Sequence, residues 1–464
     1  MRARGQTWLW TLVAFAVRLA LFLSSPEPTG WDGYSYVVQV ERLVGEGRLH
    51  WPDASWVTYF LAALHLVVPS AIVAVKVGTC LLAALVVPAA ARLGGWRLAA
   101  WAALSPTLTH LAGDFGKSLG LVAPLLVVLA WRRGRSLWWL VPAALVTATA
   151  HRLGAALLAT AAVGALLGAL ARRSSERRLV VVGLTSLVTF AGLSWSLPNL
   201  LHPADLERLS GQLDFSVHLP SPWPYFALRD TSWLQRLELL AAWPALVVGG
   251  WRFVKSRERR ARVGALLLPL ALCVLPLWRT DVLDLGYRLA LMAPVFAAPL
   301  LLGEEAPGRA RWLTLVVAVL CVPCARTGFD PRQAPPYGQW RALIARIPRP
   351  LPALLIAPQG FNFLYDHETG HESLAWSPEP ELDRTAIWRL AWGVRDGEWL
   401  ELAAGLEPQP RRLSAEVVYV REDVWEAVLT RARALDDEEL IERLTAPRNP
   451  SRVRPRSLRR NHVE

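Results

Sequence analysis

Along the first two thirds of this chain apolar residues do not alternate with polar ones; they run together in long blocks. A helix that crosses a bilayer needs about 20 mostly apolar residues. Runs approaching that length recur at 7–24, 71–93, 98–111, 119–131, 137–150, 153–171, 179–200, 234–253, 263–277, 289–302 and 312–324. The pattern predicts about eleven spanning helices. A shorter run at 59–69 is read as an interfacial or re-entrant helix. From Arg326 the blocks stop, and prolines at 331, 335, 336, 348, 350 and 352 punctuate the chain. Short β-like runs follow at 354–357, 387–394 and 415–420, then a helical pattern over 423–444. The expected architecture is a polytopic α-helical membrane protein with a small C-terminal α/β domain. Its parts are a membrane body over 1–325, a soluble domain over 326–446 and an Arg/Pro-rich tail over 447–464.

Composition agrees with this reading. Of 464 residues, 53% are hydrophobic and 19% charged, below the roughly 25% charged of an ordinary soluble domain. The net charge is +12, and the excess lies between the apolar blocks, with the region after residue 325 close to neutral. Short basic clusters between apolar segments argue against nucleic-acid binding. They fit membrane topology instead. Alternate loops, around residues 2–4, 92–97, 132–135, 172–178, 252–262 and 309–311, hold 19 basic residues, and the intervening loops hold 8. By the positive-inside rule the N-terminus is cytoplasmic. An odd number of spans then puts the C-terminal domain outside, in a multi-pass inner (plasma) membrane protein. Arg18 interrupts the first apolar block and no small-residue cleavage site follows it, so that block is expected to stay as an anchor rather than act as a signal peptide.

The four cysteines, Cys80, Cys273, Cys321 and Cys324, all lie in apolar segments and imply no disulfide framework. The Cys321-Val-Pro-Cys324 spacing lacks the second pair that a zinc site requires, and is read as the end of a membrane helix.

Most of the 17 acids before residue 326 fall in the outward loops, which makes that face the expected seat of any chemistry. The first of these loops, 26–55, is long and aromatic: Trp31-Asp32-Gly33-Tyr34-Ser35-Tyr36, then Val37, Val40, Glu41, Leu43 and Val44 at helical spacing, then Trp51-Pro52-Asp53-Ala54-Ser55-Trp56. Tyrosine and tryptophan suit the membrane–water interface, and Asp32 stands where a helix N-cap would.

Trp31-Asp32-Gly33-x-Ser35-Tyr36, the Gly45-Glu46-Gly47 helix end and Trp51-Pro52-Asp53-Ala54-Ser55-Trp56-x-x-Tyr59 resemble the first extracytoplasmic loop of the GT-C glycosyltransferases. That superfamily includes the protein O-mannosyltransferases and the lipid A aminoarabinose transferase. Gly113-Asp114-x-x-Lys117-Ser118-Leu119-Gly120, His151-Arg152 and Tyr287-Arg288, each at an outward helix end, are further similar features. The resemblance covers roughly residues 1–300. It implies transfer of a sugar from a polyprenyl-phosphate carrier to an extracytoplasmic lipid, glycan or protein acceptor. The acid after the first span, here Asp32, would serve as base or hold the acceptor. Asp53 or Asp114 would be a second carboxylate. Tyr36, Lys117, His151, Arg152, Tyr287 and Arg288 are the expected substrate contacts, with the cations on the phosphate. Many members carry a second acid beside the first; here Gly33 follows Asp32, so no metal site is assigned on that pair, and a divalent cation stays open as an alternative.

The residue types suit that chemistry. A carboxylate can take the acceptor's proton, and fixed cations in a water-poor site stabilise a departing phosphate. Each cation also has a plainer reading: snorkelling to the interface, or helix-surface pairing of Lys117 with Asp114 and of Arg288 with Asp284. Arg18 and Lys76 lie deeper, facing a cavity or paired for assembly. A second motif, His367-Glu368-Thr369-Gly370-His371, matches the zinc-protease His-Glu-x-x-His pattern. Gly370 weakens the helix such a site needs, and the segment is read as a polar turn between strands. A transporter or channel, a non-catalytic assembly protein and a zinc protease are the competing classes.

Overall fold

A computed structural model describes residues 2–30, 33–49, 53–130, 140–170, five positions between 185 and 192, 233–255, 259–274, 285–302, 337–346, 354–358, 361–370, 374–376, 418–420 and 433. In chain order the described helices are α1 (Arg2–Leu23), α2 (Gly33–Glu46), α3 (Trp56–His65), α4 (Ala71–Leu104), α5 (Pro106–Asp114), α6 (Gly116–Gly120), α7 (Val122–Leu129), α8 (Leu140–Ala150), α9 (Arg152–Leu170), α10 (Trp233–Leu240), α11 (Ala242–Lys255), α12 (Arg260–Val274), α13 (Leu285–Leu302), α14 (Tyr337–Arg346) and α15 (Phe361–Thr369). The strands are β1 (Leu354–Pro358), β2 (Leu374–Trp376) and β3 (Val418–Val420). The chain divides into two compact units. One comprises Met1–Thr29 with Pro52–Gln333, the other Gly30–Trp51 with Ala334–Glu464.

The first unit is helical. Among the described residues three helical stretches in it are long and apolar enough to cross a membrane: Ala71–Leu104, Arg152–Leu170 and Gln235–Lys255, the last joining α10 to α11. The expected spans at 7–24, 119–131, 137–150, 263–277 and 289–302 fall on α1, α6–α7, α8, α12 and α13. Those at 179–200 and 312–324, with Cys321 and Cys324, lie outside the described residues. The runs at 71–93 and 98–111 join at their near ends. α4 continues through Gly94 and Gly95, where the backbone leaves helical geometry; Gly95, at φ 76°, holds a conformation that favours glycine. The second run then breaks again at Ser105-Pro106, where proline opens a new helix and Ser105 caps it by accepting from the Leu108 amide.

That break is wired from both sides. Arg18 on α1 is 1% exposed. Its guanidinium donates to the Ala102 and Ser105 carbonyls at 3.0 and 3.3 Å and to Thr109 Oγ1 at 3.1 Å. Glu238 on α10 accepts from the Trp101 indole at 2.7 Å, the Ser105 hydroxyl at 2.6 Å and the Thr107 amide at 2.9 Å. Lys76 is buried too, and its ammonium reaches the Ser25 carbonyl at 2.6 Å. Both deep cations are held mainly by carbonyl oxygens, with Glu238 near Arg18 and Glu27 near Lys76 supplying negative charge.

α9 lies closest to α12. Gly164 and Gly168, four residues apart, face Gly264 and Ala261. A Cβ at Gly164 would collide with the Gly264 carbonyl oxygen, and one at Gly168 would sit 2.6 Å from the Ala261 Cα. Small residues at this spacing let helix backbones approach within a membrane.

The second unit is built from α2, α14, α15 and a three-stranded sheet of order β2-β1-β3. β1 runs parallel to β2, with Ile356 opposite Leu374, and antiparallel to β3, with Leu355 opposite Tyr419. The expected strands at 354–357 and 415–420 are therefore found, the second only at its end. Those at 387–394, the helix over 423–444 and the tail over 447–464 lie outside the described residues. α15 connects β1 to β2. The segment read as a polar turn is thus a correction: Phe361–Thr369 is helical, with Phe363, Leu364 and Tyr365 buried. Three consecutive large apolar side chains anchor the turn of helix that the polar tail of the segment had disguised. Gly370, at φ 69°, ends it. α2 buries Tyr34, Val37 and Val40. At its C-terminal end the exposed Glu46 accepts from Arg48 and pairs with Arg42, and these cations hold its carboxyl below the usual carboxylate range.

The glycine seam gives a direct test. Gly164→Leu should destabilise the protein by at least about 1–3 kcal/mol through overpacking, read as a lower Tm in nanodiscs. Gly250→Ala, where no atom lies within 4 Å of the added carbon, should be neutral or stabilising by up to about 1 kcal/mol.

Candidate active site

Several helix ends of the first unit meet in one place. The α5–α6 junction is set by Phe115, whose φ of −132° and ψ of 58° interrupt the helix between Asp114 and Gly116. His151 interrupts the chain between α8 and α9. The first turn of α13 brings Tyr287 and Arg288, and the residues leading into α3 bring Asp53 and Ser55. Helix ends carry unsatisfied backbone donors and acceptors. Inside an apolar body they demand polar company, which makes such junctions the natural place for a polar site.

Asp53 is 7% exposed. One of its oxygens accepts from the Ser55 amide at 3.0 Å; the other takes the Thr58 hydroxyl and lies 2.9 Å from Lys117 Nζ. The acid therefore ties down the turn that leads into α3 and pairs with a lysine 64 positions on. Ser55 donates to the Ala150 carbonyl at 2.5 Å and the Trp56 indole to that of Val146 at 2.9 Å, tying this segment to the end of α8. Lys117 is not limited to an ion pair with Asp114. The partner found for Asp114 is His110, one turn earlier, with Nε2 at 3.1 Å from Asp114 Oδ2.

His110 Nε2 also lies 3.2 Å from the Tyr287 hydroxyl. The two rings meet edge to face, with Phe115 beside both at centroid distances of 6.2 and 6.1 Å. Arg288 covers Phe115, its guanidinium carbon 4.7 Å from the ring centre. One guanidinium nitrogen reaches His151 Nε2 at 3.2 Å. The other nitrogen of His151, Nδ1, accepts from the Leu153 amide at 3.1 Å, so this histidine caps α9. Both imidazole nitrogens of His151 thus face donors. Arg288 is 5% exposed, and among the described residues its Nε has no hydrogen-bond partner. A buried guanidinium with a donor in hand, stacked on an aromatic ring beside a helix start, is equipped to receive an anion.

Six of the sequence-expected residues, Asp53, Asp114, Lys117, His151, Tyr287 and Arg288, are joined by these contacts or by adjacency at the α5–α6 junction. Arg152 follows His151 as the first residue of α9. Tyr36 is buried in α2 of the second unit, and Asp32 lies outside the described residues. His110 was not anticipated; its signal was the His110-to-Asp114 spacing of four on a helix. The His-Glu-x-x-His reading fails as a helical zinc motif, because α15 stops at Thr369 before the second histidine. His367 and Glu368 face Glu41 and Arg341 instead. Among the described residues no cluster of three or more His, Cys, Asp or Glu side chains could hold a metal ion.

The described part of the first unit is helical, and its length and apolar composition are those of a polytopic helical membrane protein. No family model matches this chain, and neither does any curated protein. Among solved structures it is similar to the crystal structure of ArnT from Cupriavidus metallidurans bound to undecaprenyl phosphate. The identity is 15%, with 90% of this chain and 98% of that chain covered and a TM-score of 0.43.

The buried pair makes its own prediction. Lys117→Met leaves the Asp53 carboxylate without its cation and should destabilise by about 3–5 kcal/mol. The double variant Asp53→Asn/Lys117→Met should recover most of that loss, read by thermal unfolding of all four proteins of the cycle.

Proposed function

We propose that this chain is a membrane glycosyltransferase of the GT-C kind, moving a hexosyl or pentosyl group from a polyprenyl-phosphate carrier to an extracytoplasmic acceptor in the inner membrane. The observation that carries the reading is the Arg288 arrangement: a buried guanidinium whose Nε has no partner among the described residues, set over Phe115, two positions before Lys117, and against His151. A phosphate group fits such a donor set. An arginine there stabilises the charge that grows on the phosphate oxygen as the sugar leaves, and its effect is enlarged where water is scarce. Lys117 adds positive charge nearby while it holds Asp53.

In the proposed reaction an acceptor hydroxyl or amine attacks the anomeric carbon. The bond from that carbon to the carrier's phosphate oxygen breaks, and the electron pair leaves on the phosphate. The acceptor's proton passes to a carboxylate. Asp32 keeps the role of base that the Trp31-Asp32-Gly33 resemblance gives it. Asp53, with three hydrogen-bonding partners, is better suited to positioning than to proton transfer. Asp114 is placed to tune His110 and, through it, the Tyr287 hydroxyl. The polyprenyl tail would lie along the apolar helices, with its head at the outward helix ends. The C-terminal domain would then be extracytoplasmic.

The test is transfer from radiolabelled polyprenyl-phosphate sugars by the purified full chain in proteoliposomes. Arg288→Ala should lower kcat by about 100- to 1,000-fold, and Asp32→Asn by about 100- to 10,000-fold. Full turnover by a normally folded Asp32→Asn protein would remove Asp32 as base. Solute flux without sugar transfer would replace the enzyme with a transporter.

A further inference from the structure

Three helix ends of the first unit meet on a face that the Arg288 cluster does not share. α11 ends at Lys255, α12 begins at Arg260 and α13 ends at Leu302. Arg260 joins the first two: its guanidinium donates to the Phe253 and Val254 carbonyls at 2.7 and 2.8 Å, in the last turn of α11. Arg252 joins α11 to α13 by donating to the Leu300 carbonyl at 2.6 Å. Both arginines answer carbonyls that a helix leaves unsatisfied at its C-terminal end. Arg288 stands in the first turn of α13 and Leu300 in the last, about 18 Å apart along the helix.

With those two cations engaged by the fold, the corner still presents three more. Lys255, Arg259 and Arg262 are all exposed. Arg259 and Arg262, three positions apart, share a face at the head of α12, while Ala261 and Val263 are buried. From Arg252 to Arg262 the chain holds six basic residues against one acid, Glu258. An apolar stripe runs straight into this charge. Val247, Trp251 and Val254 lie at positions i, i+4 and i+7 of α11, and each is more than half exposed. Lys255 lies back over the Trp251 ring, its Nζ 5.1 Å from the ring centre. That is the posture of a lysine whose stem lies in hydrocarbon while its ammonium reaches the headgroups, beside an aromatic of the kind that marks the interface.

We propose that this corner is a binding site for one acidic phospholipid of the surrounding bilayer. Its acyl chains lie along Val247, Trp251 and Val254, and its phosphate is held by Lys255, Arg259 and Arg262. The charge requires an acidic headgroup, because a zwitterionic lipid would bring its own ammonium against a segment with six basic residues and one acid. Each nearby Lys or Arg favours an anionic lipid by about fivefold in binding, and donors held by a folded corner turn that attraction into a site. The loop charges predict this face to be cytoplasmic, so the lipid belongs to that leaflet. The site is independent of sugar transfer, and neither reading depends on the other.

The experiment titrates the purified full chain in detergent with phosphatidylglycerol or phosphatidylcholine and counts retained lipids by native mass spectrometry. The wild type should retain one phosphatidylglycerol, bound about tenfold or more tightly than phosphatidylcholine. Lys255→Gln, Arg259→Gln and Arg262→Gln should each weaken that binding by about fivefold, and the triple variant by about a hundredfold. The single variants keep the test decisive if the triple variant does not fold. Two controls locate the bound anion. Arg288→Ala, at the far end of α13, should change retention by less than about twofold. Glycerol phosphate, which has the phosphate without the chains, should leave the lipid in place. Equal retention of the two lipids, single variants that bind like the wild type, loss of the lipid with Arg288→Ala, or displacement by glycerol phosphate would overturn the proposal. So would a dimer of the chain in place of the lipid adduct.

Discussion

The constraint behind this structure is that a charged group inside an apolar helical body must find its partners there. The clearest case is the break between α4 and α5. Proline at 106 removes a backbone donor and ends the regular ladder, and the carbonyls of Ala102 and Ser105 take up the Arg18 guanidinium. On the other side Glu238 collects the donors that the break and its flank present, the Ser105 hydroxyl and the Thr107 amide. Arg18 and Glu238 lie 220 positions apart in sequence, yet they satisfy one interruption of one helix. An unpaired charge at membrane depth is expensive enough that each would be strongly disfavoured without its partners. The break therefore fixes the direction of α5, and α5 ends in His110 and Asp114.

From there the site follows as a series of similar interruptions. Phe115 stops α5, His151 separates α8 from α9, and Asp53 stands in the turn before α3. Such interruptions expose backbone groups that lipid cannot satisfy, and two of them carry a side chain that does: Asp53 for the Ser55 amide, His151 for the Leu153 amide. What remains after those needs are met is a smaller set of groups with capacity to spare. Arg288 is foremost among them, since its Nε has no hydrogen-bond partner among the described residues. Polar residues in this body thus divide into those that repair the fold and those left available to a ligand. Asp53 and Lys117 sit on the boundary between the two.

Much of this was legible in the sequence, for reasons that can be named. Apolar blocks located the helices because burial in lipid or protein acts over whole segments. Lys117, His151 and Arg288 stood out because ionisable residues at the outward ends of such blocks are scarce. Not every partner was legible. The Asp53–Lys117 pair spans 64 residues, beyond the reach of local spacing, and Asp284, the local partner expected for Arg288, lies outside the described residues. His110 was overlooked because a lone histidine in an apolar stretch reads as core; only its distance of one helical turn from Asp114 marked it. Likewise nothing local announced that Glu238 would serve Ser105. In α15 the opposite error arose. Five polar or small residues, His367 to His371, suggested a turn, but Phe363, Leu364 and Tyr365 just before them determine the local structure, and the helix runs on until Gly370 permits a positive φ.

The grouping of α2 with the C-terminal region follows from the same economy of partners. A helix of 14 residues is too short to be stable alone in water. Its first half is buried over Tyr34, Tyr36, Val37, Val38 and Val40, so a partner surface must exist. α15 supplies it, with Phe363, Leu364 and Tyr365 in its own core and His367 turned toward Glu41. The loop after the first helix and the domain at the end of the chain are consequently one folding unit. Neither can reach its observed packing without the other, because each holds apolar surface that the other covers. Discontinuity in sequence follows: the segment at 30–51 has its partner only in residues from 334 onward, which the chain reaches after residues 52–333.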